Sequence, residues 1–75
     1  MENIKNLKFI TEENEEYIVL FDTVIDNEQF GYAVNLKDES DAMCIRLVLD
    51  DEGYFFDIIE DEKLKKQIID LQRAQ

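Results

Sequence analysis

The sequence contains no histidine, no proline and no tryptophan, one cysteine and only two glycines. Each absence excludes something. Without histidine there is no imidazole base and no histidine-activated nucleophile. Two isolated glycines, Gly31 and Gly53, cannot build a phosphate-cradling loop. The single thiol, Cys44, rules out an internal disulfide and points to a reducing, cytoplasmic setting. Lying inside MCIRLVL with nothing to activate it, Cys44 reads as a small core or interface thiol. No apolar run approaches the ~18 residues of a membrane span, and no leader segment is expected. With no linker or low-complexity tract either, the 75 residues read as one small domain.

Positive charge is scarce as well. Eight bases against nineteen acids leave a net charge of −11. Residues 9–62 hold 17 of the acids and only Lys37 and Arg46 as bases, a local net of −15. Such a field repels nucleic acid and anionic lipid and attracts basic surfaces. Direct nucleic-acid or membrane binding is therefore not expected. The bases of the last segment, Lys63, Lys65, Lys66 and Arg73, read as compensation of a helix dipole.

Apolar residues make up 45% of the chain, enough for a core. They fall in five runs rich in Val, Ile, Phe and Tyr, over about 7–11, 17–25, 30–36, 43–49 and 54–59. Acidic, polar breaks separate the runs: EENEE, DNEQ, KDESDA and DDEG. Breaks this short join antiparallel neighbours, which predicts a five-stranded meander. Period-two parity predicts one bulky face: Leu7, Phe9, Tyr17, Val19, Phe21, Ile25, Phe30, Tyr32, Val34, Leu36, Met43, Ile45, Leu47, Leu49, Tyr54, Phe56 and Ile58. The predicted pairs include Phe9 with Val19, Ile25 with Phe30, Phe21 with Val34 and Leu47 with Phe56. The other face, with Leu20, Ala33, Asn35, Cys44, Arg46, Val48, Phe55 and Asp57, reads as the more exposed, with Arg46 opposite Asp57. The last segment repeats Leu64, Ile68 and Leu71 at helical spacing, so a helix over about 61–73, capped by Glu60, is expected to dock on the bulky face. The predicted class is α+β: an antiparallel five-stranded meander with one C-terminal helix packed on one face.

A meander alternates its turns between two ends. The turns after the first and third strands and the exit of the fifth share one end. That end is expected to gather ten carboxylates: Glu12, Glu13, Glu15, Glu16, Asp38, Glu39, Asp41, Glu60, Asp61 and Glu62. Like charges ~6 Å apart repel by on the order of 1 kcal/mol at an intermediate effective dielectric before salt screening. A solubility coat would not need such crowding, so the cluster reads as a surface for a basic partner. Neither DDEG nor DESD keeps the spacing of a calcium loop, and no metal or cofactor is expected. Two carboxylates alone do not make a glycosidase without a substrate cleft, so the chain reads as non-catalytic. A second candidate surface is apolar: Leu20, Val48 and Phe55 beside Arg46, suited to a homodimer or a partner sheet, with charge serving only solubility.

The run FITEENEEYIVLFDT, followed by GYAVNL and by GYFFDIIEDE leading into the last helix, resembles the YrzB-like family over roughly residues 7–72. These are small acidic domains of Firmicutes with no established function. The resemblance implies this fold and a bacterial or phage origin, and it supplies no functional residues. The present chain differs in having fewer acids at its C-terminal end and a more basic helix. The function expected is a non-catalytic acidic module that docks on a basic protein surface, such as that of a nucleic-acid-binding protein, in the manner of a phage-type nucleic-acid mimic.

Overall fold

The structure, a computed structural model, describes residues 3–74. It is an antiparallel meander of five strands in the order β1-β2-β3-β4-β5, followed by one helix. The elements are β1 (Lys8–Ile10), β2 (Glu16–Ile25), β3 (Glu28–Asn35), β4 (Asp38–Asp50), β5 (Gly53–Ile58) and α1 (Glu62–Arg73). The hairpins are tighter than the sequence pattern predicts. Asp26 and Asn27 both take positive φ, 51° and 67°, which makes the β2–β3 connection a two-residue turn matched to strand twist. It pairs Ile25 with Glu28 and Phe21 with Tyr32, not with Phe30 and Val34. Leu36 and Lys37 alone connect β3 to β4, so Asp38, Glu39 and Asp41 lie on a strand rather than in a loop. Phe9 pairs with Tyr17 rather than Val19. The β4–β5 register is the predicted one, with Leu47 opposite Phe56 and Arg46 opposite Asp57.

The bulky face is divided between the two sides of the sheet. A bulge between Val19 and Phe21 inserts Leu20 as an unpaired residue. An extra residue reverses the alternation of everything beyond it. Tyr17 and Val19 therefore face one side, with Ala33 and Ile45, whereas Phe21 and Ile25 face the other, with Phe30, Tyr32 and Cys44. Both sides need a cover, and both have one. The first is covered by the N-terminal segment through Ile4 and Leu7. The second is covered by α1 through Ile68, with Leu64 and Ile69, and by Ile59. Ala33, Asn35 and Cys44, expected on an exposed face, are accordingly buried, and the helix docks against Phe30 and Cys44.

The N-terminal cover is fixed by polar bonds. Asn6, at φ 75°, donates its N–H to the Val19 carbonyl at 2.7 Å, and the Ile4 N–H donates to Asp22 Oδ2 at 3.1 Å. Gly31 leaves the room: a Cβ there would lie 3.3 Å from Ile4 Cδ1 and Ile45 Cγ1. The helix begins one residue later than expected. Asp61, not Glu60, caps it, accepting from the N–H groups of Lys63 at 2.9 Å and Leu64 at 3.3 Å.

Two cores make two separable expectations. Ile45→Ala and Ile68→Ala should each lower unfolding free energy by about 2–5 kcal/mol in denaturant titrations, because each empties a fully buried site. Gly31→Val should destabilise by displacing Ile4, while changing the near-ultraviolet signal of the helix side little.

Candidate functional site

One junction at the end of the sheet gathers carboxylates from two elements. Asn35 closes β3 and is only 7% exposed. Its Nδ2 donates to Glu15 Oε2 at 2.6 Å and to Asp41 Oδ2 at 3.2 Å, and its Oδ1 accepts from the Lys37 N–H at 2.8 Å. Tyr17, also buried, donates its hydroxyl to the same Asp41 oxygen at 2.6 Å. Buried polar groups need partners, and here the partners are carboxylates at the rim. Two acceptors on one nitrogen stand no farther apart than the two bond lengths combined, about 5.8 Å. The cleft in front of them, about 650 Å³, is lined by Glu13, Glu15, Glu16, Asp38, Asp41 and Lys37 among others.

Lys37 is the cationic side chain lining this cleft, and it forms no ion pair with any described residue. Asp38 is locally organised as well. Its Oδ1 accepts from Ser40 Oγ at 2.6 Å and Ser40 N at 3.1 Å, which holds its carboxyl below the usual range. Glu39 is exposed on β4, and Glu12 lies with Glu13 on a neighbouring cleft beside β5. The remaining three expected members are used differently. The Asp61 carboxylate caps α1, Glu62 pairs with Lys65 at 3.4 Å, and Glu62 lines a groove with Lys65, Lys66 and Arg73. Glu60 is exposed at the approach to the helix. The cleft thus unites Glu13, Glu15, Glu16, Asp38 and Asp41, while the helix entrance forms a separate, partly neutralised group. Sequence reasoning missed Asn35 and Tyr17. The only signal for them was a polar side chain interrupting an otherwise apolar strand end.

The expected apolar surface is divided too. Val48 and Phe55 pair across β4–β5, but Leu20 sits at the β2 bulge, with β3 between them. Arg46 is not a free anchor. It bonds Asp57 at 2.8 Å and Glu28 at 3.3 Å, and both carboxylates raise its pKa. Leu49, Tyr54, Phe55 and Ile58 are each more than half exposed, so the β4–β5 hairpin is apolar on both sides.

Among the described residues no group of three or more His, Cys, Asp or Glu side chains is arranged to hold a metal ion. No described helix is long and apolar enough to cross a membrane. Cys44 is buried, which pushes its thiol up. A scan against models of known protein families, and searches of characterised proteins and of solved structures, return no match.

Tyr17 provides a direct reading of the junction. Its hydrogen bond to Asp41, with burial adding to it, holds its pKa above the ordinary value of 10.0. A pKa raised on folding means the contribution to stability is complete below about pH 10 and is lost as pH rises through the higher folded value. In an alkaline titration followed by tyrosinate absorbance, one of the three tyrosines should ionise late. Tyr17→Phe should remove that late phase and flatten the loss of stability above pH 10.

Proposed function

We propose that the chain is a non-catalytic acidic binding module that docks its carboxylate-lined cleft on a basic surface of a larger protein. The observation that carries this reading is the Asn35 junction. A buried amide holds the carboxylates of Glu15 and Asp41 together at a cleft shared with Glu13, Glu16 and Asp38. Folding free energy is spent bringing like charges together, and a cationic partner would recover it on binding. Where the partner is a nucleic-acid-binding protein, carboxylates spaced over turns and strands take the place of phosphates, and the module acts as a competitive mimic.

The test is retention of partners from native cell extract on the immobilised chain, repeated as salt is raised. Retention should fall at least about tenfold between low and physiological salt. A combined Glu13→Lys, Glu15→Lys and Glu16→Lys variant should retain little, and duplex DNA should displace what is held if mimicry operates. Capture that ignores both salt and charge reversal would contradict the reading.

A second reading has its own observation, the exposed Leu49–Tyr54 pair of the β4–β5 hairpin and the exposed Phe55 opposite half-buried Val48. There the protein would be a structural or assembly component associating through apolar surface, with charge for solubility alone. Phe55→Asp should then abolish association in sedimentation runs, whereas the charge-reversal variant should sediment unchanged.

A further inference from the structure

The sheet curls far enough for its two edges to face one another without joining. Phe9 of β1 and Phe56 of β5 touch, with ring centroids 5.0 Å apart. Yet the strands form no ladder, and no Cα of β1 lies within 8 Å of a Cα of β5. Between them lies a cleft of about 340 Å³, with Phe9, Ile10, Glu12 and Glu13 on one wall and Phe56 and Ile58 on the other. A strand placed between two others needs them roughly 9–10 Å apart, twice the usual spacing.

The hydrogen-bond phase of both edges follows from the ladder. The Ile59 N–H donates to the Cys44 carbonyl at 2.9 Å, in register with Ile58 opposite Ile45. Antiparallel pairs alternate between bonded and non-bonded, so Gly53, Phe55 and Asp57 turn their amides toward β4. Tyr54, Phe56 and Ile58 turn their N–H and C=O groups outward. On β1, the bonds Val19 N–H to Leu7 O and Thr11 N–H to Glu15 O leave Lys8 and Ile10 pointing outward by the same rule. In a five-stranded meander β1 and β5 run the same way, so a strand antiparallel to one is antiparallel to both. An exposed apolar edge of this kind is a template for strand addition.

Charge decides the occupant. The outward residues of β5 present Tyr54, Phe56 and Ile58 on one side, the first and last more than half exposed. Acids flank the edge at both ends: Asp50, Asp51 and Glu52 before it, Glu60 after it, with Glu12 and Glu13 across the cleft. A second copy of a chain of net charge −11 would bring those acids against their own kind. A cationic strand would meet them with opposite charge. We propose that the outer edge of β5, at the cleft it shares with β1, takes one extended basic segment of a partner protein, alternating apolar and cationic residues, as an added antiparallel strand. This rests on the proposed acidic docking function and names the form of the partner segment.

The probe is a short peptide alternating lysine with isoleucine or valine, titrated into the intact chain with amide-resolved NMR and calorimetry. The expected result is salt-sensitive binding with new hydrogen-exchange protection at Tyr54, Phe56 and Ile58. N-methylation of alternate peptide residues removes one set of donors at a time. Methylation on the set facing β5 should weaken binding at least about tenfold, and on the other set only a few-fold. Ile58→Pro deletes an outward donor and no ladder bond, so it should weaken binding while leaving the amide spectrum folded. Salt-sensitive binding that is indifferent to N-methylation and protects none of the three amides would overturn strand addition and leave the docking function standing. No salt-sensitive binding by any peptide would overturn both. Protection of the same amides that grows with protein concentration, without peptide, would assign the edge to a second copy and overturn the proposal.

Discussion

The side-chain amide of Asn35 is the constraint on which the acidic end depends. It is buried, so each of its polar atoms must find a partner within the fold. The main chain supplies one through the Lys37 N–H, and the carboxylates of Glu15 and Asp41 supply the others. Three segments that are distant in sequence are thereby tied at one point: the β1–β2 turn, the end of β3 and the start of β4. Tyr17 adds a second donor to Asp41 from the neighbouring strand. The negative charge at this end is therefore built into the packing and not merely scattered over exposed loops. An apolar residue at position 35 would take from Glu15 the donor that positions it and leave Asp41 with the Tyr17 hydroxyl alone.

A single inserted residue, Leu20, shapes the rest. Without the bulge, the large side chains of β2 would all face one way and would serve one core alone. With it, Tyr17 and Val19 serve the core beneath Ile4, and Phe21 and Ile25 serve the core beneath α1. That division lets a 75-residue chain bury apolar residues on both sides of one sheet. It also curls the sheet until Phe9 meets Phe56, which leaves the β1 and β5 edges facing across a gap.

Much of this was legible in the sequence, and the exceptions have physical causes. The meander, the terminal helix and the pairing of Arg46 with Asp57 follow from period-two runs, short polar breaks and the DDEG turn. The β2 bulge was not legible, because IVLF reads as an unbroken strand and nothing in composition marks the extra residue. Its consequence was a false single bulky face, while the short β3–β4 connection, which sets Tyr32 opposite Cys44, is what turns Cys44 to the helix side. The β3–β4 break reads as six residues because KDESD is polar throughout and Ala42 adds no apolar bulk; a strand with an exposed edge tolerates Asp38, Glu39 and Ser40 equally well. Of the ten acids gathered by strand order, five share the cleft. The three at the helix entrance are divided off because a helix N-terminus needs a cap and its own Lys65 lies one turn along.

The central claim, that negative potential is concentrated at the Asn35 junction, can be mapped directly. Amide NMR signals are broadened in turn by a cationic and by a neutral soluble nitroxide of the same size, and the ratio is plotted along the chain. The ratio is expected to peak at residues 13–16 and 35–41, and to be lowest along the helix from Lys65 to Arg73. A ratio that is uniform over the surface, or highest at the β4–β5 hairpin, would contradict the claim.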